Sequence, residues 1–226
     1  MKLERTQEFP GAALAGLRER QKADRARRIL RAAVTLFRAE GYRAVRIEDL
    51  AEAAEVSVGT VYNYHRTKGD ILIAVVAMEV EEVLEAGRAI VADPPADVAE
   101  VLLALIFGYY DHSLEYLSKA MWRHAMALSI ETPETPNGRR YTELDRRLAA
   151  QVTEMIAALQ ARGSVRADID ARTMGEVVFN TLNQLFIEFV KDDAQTLDEL
   201  RVAVSAQVRP LARLMGAQVS RAVSSA

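Results

Sequence analysis

The residues best equipped for chemistry lie close together, in Ile47-Glu-Asp-Leu-Ala-Glu-Ala-Ala-Glu-Val-Ser-Val-Gly-Thr-Val-Tyr-Asn-Tyr-His-Arg-Thr-Lys68. The stretch offers hydroxyls (Ser57, Thr60, Tyr62, Tyr64), an amide (Asn63), two cations (Arg46, Lys68) and a small tip, Val58-Gly59-Thr60. No general base stands beside a nucleophile here, so the set suits recognition rather than bond making. Hydroxyls, backbone N–H groups and cations hold phosphate oxygens, while amides and hydroxyls read base edges and a threonine methyl fits against thymine.

Elsewhere the chain has little catalytic equipment. It holds 3 histidines and 0 cysteines, which excludes disulfides and thiolate metal sites. His112 and His124 fall on separate predicted helices, no Glu-x-x-His pair exists, and His65 reads as a packed spacer. Nucleophile elbows, phosphate-binding Gly-Lys loops and dinucleotide fingerprints are missing too. We expect no enzyme, no metal and no cofactor.

Periodicity shows what must position the recognition set. Ile29, Leu30, Ala33, Leu36 and Phe37 repeat at helical spacing, with arginines on the other faces. Gly41 follows as a left-handed cap on which Tyr42 can fold back. Ile47, Leu50, Ala51 and Ala54 define a second short helix, with Glu48 and Asp49 in its first turn. After a break, Ser57 can cap a third helix running to about Tyr64, whose N-terminus adds N–H donors. Val56 and Val61 then pack on Leu50 and Phe37, leaving Val58, Gly59 and Thr60 outward. Three short helices with a tight turn between the last two form a helix-turn-helix.

Beyond Lys68 the helices lengthen. Thr67 with Asp70 resembles a capping box opening a helix to about Val91, and Asp93-Pro94-Pro95 stops it. Asp97 with Glu100 starts the next helix, and Glu131 to Gly138 reads as a loop. Gly163 closes a helix, Asp168 or Asp170 opens another, and Thr196 with Glu199 caps the last. The fold class is all-α: a helix-turn-helix domain over residues 21–67 and a larger helical body over 68–217. Residues 1–20 and the tail after Ala217 are expected to be poorly ordered. No apolar run reaches membrane-spanning length and none has signal-peptide form, so we expect a cytoplasmic protein without a membrane partner.

Charge follows the same division. The net charge is −3, yet residues 1–68 carry 14 Lys/Arg against 9 Asp/Glu and the remainder 15 against 23. A basic head on an acidic body suits a chain whose first quarter alone meets a polyanion.

The order Leu-Phe-x-x-x-Gly-Tyr, then Leu-Ala-x-x-Ala-x-Val-Ser-x-Gly-Thr-x-Tyr-x-Tyr-x-x-x-Lys-x-x-Ile-Leu, resembles the TetR (tetracycline-repressor-like) regulators over roughly Ile29 to Leu72. The resemblance implies a homodimer, joined through the last two helices, whose recognition helices read a palindromic double-stranded DNA operator. It also implies a small-molecule effector pocket in the C-terminal domain; a bound effector would tilt the helix that starts at Lys68. DNA contacts are then expected from Arg46, Ser57, Val58, Gly59, Thr60, Tyr62, Asn63, Tyr64 and Lys68. Three positions depart from the family pattern. Arg46 stands where threonine is usual and cannot cap; Glu55 stands where glycine is preferred, at some backbone strain; His65 stands where phenylalanine is usual.

For the effector pocket the candidates are Phe107, Tyr110, Met121, Trp122, Met126 and Phe179, with Asn183 as a polar anchor or an interface hydrogen bond. The stripes Met174–Phe189 and Leu200–Met215 are wider than one core seam requires, which favours a subunit interface. The expected function is a ligand-responsive transcriptional regulator, a repressor rather than an activator. A DNA-binding protein without effector, and a helical small-molecule binder or enzyme with a structural helix-turn-helix, are the alternatives.

Overall fold

The computed structural model describes residues 10–217. Among them are nine helices and no strand: α1 (Pro10–Glu40), α2 (Ile47–Ala53), α3 (Val58–Tyr64), α4 (Lys68–Ala92), α5 (Val98–Tyr116), α6 (Lys119–Glu131), α7 (Pro136–Ala161), α8 (Ala171–Lys191) and α9 (Leu197–Met215). They form two compact units that divide between Leu72 and Ile73, inside α4. No helix among the described residues is long and apolar enough to cross a membrane.

In the first unit α1 is longer than its apolar stripe. The expectation of poor order over residues 1–20 is overturned from Pro10 on, where the chain is helical; residues 1–9, and the tail 218–226 expected to be poorly ordered too, lie outside the described ones. Arg, Glu, Gln, Lys and Ala are strong helix formers that need no buried face, and Asp24 pairs with Arg28 one turn on at 3.4 Å. The helix ends as its sequence predicts. Gly41 adopts φ 87°, its N–H bonds Phe37 O at 3.1 Å, and Tyr42 packs edge-on against Phe37 at 5.2 Å. Ile29, Ala33, Phe37, Val45, Leu50, Ala51, Ala54 and Val61 make the buried core of this head.

In the second unit α7 begins earlier than expected. The Pro-rich stretch read as a loop to Gly138 is a helix from Pro136 on, because Thr135 accepts the Gly138 N–H and proline at the first helical position loses no bond. Asp170 caps α8 and the Thr196–Glu199 box caps α9, as their sequences predict. Gly175 lets α8 approach α7 so closely that a Cβ there would sit 2.2 Å from Thr153 Oγ1. The core of this unit draws on Leu102, Leu105 and Ile106 of α5, Val152, Met155, Ile156 and Leu159 of α7, and Leu200, Val204 and Val208 of α9.

Candidate nucleic-acid interface and ligand cavity

The tip of α3 is rigid and exposed. Ser57 caps the helix by accepting the Thr60 N–H at 3.0 Å, and its Oγ lies 2.8 Å from Thr60 Oγ1, so the two hydroxyls lock each other. Val61 is fully buried, which turns Ser57, Gly59, Tyr62 and Asn63 outward; Val58 and Thr60 are half-buried. Tyr62 is 48% exposed, among the few large apolar side chains left in solvent. Gly59 has no positive φ, and a Cβ added there would meet only Ser57 Oγ, at 3.8 Å. Nothing inside the protein requires glycine at that position.

Two expected contacts turn inward instead. The Tyr64 hydroxyl donates to Lys22 O at 3.0 Å, tying the end of α3 to α1. The Lys68 ammonium donates to Arg43 O at 3.0 Å and Val45 O at 2.8 Å and lies 4.8 Å from the centre of the Tyr42 ring. Burial holds its pKa below the ordinary lysine value. Two of its three protons secure the α1–α2 connection, leaving one for any phosphate. Arg46 occupies the N-cap of α2 but, having no acceptor atom, cannot bond the helix's free N–H groups. Asp49 closes the other half of the box, accepting Arg46 N–H at 2.8 Å and the guanidinium at 3.1 Å. Glu55 takes φ 52°, the sole positive φ outside glycine among the described residues. Its carboxylate lies 3.6 Å from Arg28.

A profile of the group described as bacterial regulatory proteins, tetR family, matches residues 29–75, which span the end of α1, α2, α3 and the first turns of α4. Over that segment the chain is similar to the tetR family of bacterial regulators. Over 106 residues it is 32% identical to the HTH-type transcriptional repressor KstR of Rhodococcus jostii (strain RHA1), an alignment covering 46% of this chain and 48% of that protein. The chain thus spans about half the length of that curated relative. Over 180 residues it is 24% identical to the fatty acid metabolism regulator protein of Bacillus subtilis (strain 168), covering 77% and 88% of the two chains. A TetR-family regulator from Mesorhizobium loti shares the fold with a TM-score of 0.70 at 21% identity, over 86% of this chain and 98% of that one. FadR from Thermus thermophilus, crystallised with lauroyl-CoA, has a TM-score of 0.60 at 22% identity, covering 83% and 93%.

In the second unit, a cavity of about 70 Å³ lies among α4, α5, α6, α7 and α8. At roughly 14 Å³ per water-sized sphere that is room for about five, near the bulk of a single ring. Of the residues expected at an effector pocket, Tyr110, Trp122, Phe179 and Asn183 do line it. Three do not. Phe107 lies under the Arg201 guanidinium, 5.2 Å from its ring centre; Met121 is 1% exposed and packs as core; Met126 faces a neighbouring surface cleft that shares Tyr141, Asp145 and Asn183. Phe186 joins the cavity wall, stacked on Tyr110 at 5.5 Å and edge-on to Trp122 at 5.2 Å. Bonds to backbone carbonyls fix two rings, Tyr110 O–H to Leu182 O at 2.7 Å and Trp122 N–H to Ser113 O at 2.7 Å.

The wall residues that composition did not single out are the acidic ones. Glu79 is 2% exposed and lines the cavity from α4; its Oε2 lies 2.8 Å from His112 Nδ1, while Oε1 takes no hydrogen bond. Burial pushes its carboxyl up to about 7, against the opposing pull of His112. Asp145, on α7, is likewise pushed up to about 7 by burial. A signal for both was available. Glu79 falls on the same helical face as Val75, Val76, Val80 and Val83, and Asp145 on that of Tyr141, Leu144, Leu148 and Val152, where the pattern calls for apolar side chains.

Proposed function

We propose that this chain is a ligand-responsive DNA-binding repressor of the TetR family. In this reading a homodimer joined through α8 and α9 places α3 of each subunit in successive major grooves of a palindromic operator. Ser57, Val58, Gly59, Thr60, Tyr62 and Asn63 meet the duplex. Arg46 and the remaining N–H of Lys68 add phosphate contacts, and Tyr64 holds the frame. Gly59 carries the proposal. Gly59 is the second residue of α3, where glycine costs something less than the about 1 kcal/mol of a helix interior, and the protein's own packing asks for none, so the constraint comes from outside, where backbone must approach another surface closely.

The dimer reading rests on α8 and α9. On α8 the line Met174, Val177, Thr181 and Leu185 stays incompletely buried while Val178, Leu182, Phe186 and Phe189 fill the core. On α9, Val202 and Leu214 are each 70% exposed. A second copy would cover both lines. An effector in the α4–α8 cavity would weaken DNA binding by its preference for one of two conformers, and by no more than that preference.

The test uses sites selected from random DNA. Gly59→Ala is expected to raise thermal stability slightly while weakening DNA binding about tenfold or more, and Tyr62→Ala to weaken it without that gain. Binding should fall steeply with salt. Salt-insensitive binding, or unchanged affinity in Gly59→Ala, refutes the proposal.

A further inference from the structure

We infer that the cavity among α4, α5, α6, α7 and α8 takes an organic cation, an aromatic or alicyclic body bearing an amine or quaternary ammonium. Its body would lie between Tyr110, Trp122, Phe179 and Phe186, and its head would face the carboxyls of Glu79 and Asp145. This deepens the effector reading above and rests on it.

Three observations carry the inference. First, the cavity wall holds two carboxyl groups and, among the described residues, no lysine or arginine. A carboxylate or phosphate ligand would find no cation to pair with. Second, the two acids lack what a structural buried acid has. Asp145 makes no hydrogen bond or ion pair among the described residues, and Glu79 leaves Oε1 unbonded although its other oxygen meets His112, which in turn lies 3.3 Å from Glu82. A buried acid such as Glu79 is a cost to the fold that a core leucine or a bonded glutamine avoids, while Asp145 is half-buried where the cavity meets the neighbouring clefts. The nearby Gln151 shows the ordinary solution, fully engaged with Leu84 O and the Tyr109 hydroxyl. Third, six aromatic side chains stand in the wall beside the aliphatic ones, and ring faces attract cations while giving anions nothing. Access runs from a solvent-open cleft between α7 and α8, which shares Asp145, Phe179 and Asn183 with the cavity. The arginines of that cleft are already paired, Arg146 with Glu143 and Arg172 with Glu176.

The chain has 1 tryptophan, and Trp122 is in the wall, so its fluorescence reports occupancy directly. Phenyltrimethylammonium, its neutral isostere tert-butylbenzene, benzoate and lauroyl-CoA are titrated into the full-length protein, alone and on its selected DNA site. The ammonium is expected to bind at least about tenfold tighter than the isostere and benzoate, and to lower DNA affinity. Asp145→Asn and Glu79→Gln, near-isosteric with the originals, should each erase most of that preference and leave tert-butylbenzene affinity unchanged. Equal or tighter binding of the isostere or benzoate, or a preference that survives both substitutions, overturns the inference. If lauroyl-CoA quenches Trp122 and releases DNA while the ammonium does neither, the cation falls and the effector reading stands. If no probe moves Trp122, both fall.

Discussion

Replacing Asp145 by asparagine should make the protein less sensitive to alkali. The side chain has no partner among the described residues, and burial alone pushes its carboxyl from 3.8 up to about 7. The sign follows from linkage. Between those values the folded chain holds a proton that the unfolded chain has released, so rising pH favours unfolding. The stabilisation is complete below 3.8, declines through the window, and is gone above about 7. Asparagine keeps the shape of the protonated acid and does not titrate. From about pH 5.5 to about 7 the native protein should therefore lose roughly 1.36 kcal/mol per pH unit that Asp145→Asn keeps, near 2 kcal/mol in all. Water on the cavity side of the carboxyl trims this to about 1–2 kcal/mol. Glu79, raised to about 7 as well, contributes a loss of the same sign to both proteins and cancels in the difference. Urea unfolding followed by Trp122 fluorescence, at several pH values across that window, measures both curves. Curves that run parallel would refute the account of Asp145 as a half-buried acid without a counter-charge.

Two further substitutions probe the backbone. Glu55→Gly should stabilise the first unit by about 0.5–1 kcal/mol in denaturant melts, because glycine adopts the positive φ without penalty and the exposed Arg28 contact is worth little; a loss of stability would show that the glutamate side chain holds the turn. Gly175→Ala should cost about 1–3 kcal/mol by pushing α8 off α7. Because Thr153 Cα also lies only 2.8 Å from the added carbon, Thr153→Ser should not rescue it, and rescue would place the strain on the hydroxyl alone.

The helices and caps of the head were legible because their causes are local. Apolar residues three and four apart, a serine before the tip and a glycine after Phe37 act within one or two turns, and the strain at Glu55 follows from a turn that favours glycine. Direction in space was less legible. Tyr64 and Lys68 stand where a duplex could reach them in sequence, but the carbonyls of Lys22, Arg43 and Val45 capture their polar ends, and no spacing rule reveals a partner 23 to 42 residues away. The start of α1 was missed for a different reason: charged helix formers need no stripe. In the body, aromatic and methionine content picked out Tyr110, Trp122 and Phe179, which line the cavity, together with Phe107, Met121 and Met126, which do not, since composition does not say which side of a helix meets a void rather than core.

Gly59 and Asp145 share a physical logic that neither shows alone. Each is a poorer choice for its own fold than a residue of nearly the same size: alanine would favour α3, and asparagine would spare α7 a buried charge. At Gly59 the surroundings are open solvent, so the missing Cβ leaves room for something approaching from outside. At Asp145 the surroundings are a cavity of aromatic and aliphatic side chains, so the missing counter-charge leaves room for something entering it. If each position costs stability because it serves binding, each substitution should stabilise the isolated protein and weaken one kind of binding only: Gly59→Ala that of DNA, Asp145→Asn that of the cation. A substitution that stabilises and leaves both affinities intact would mean that its position is merely imperfect.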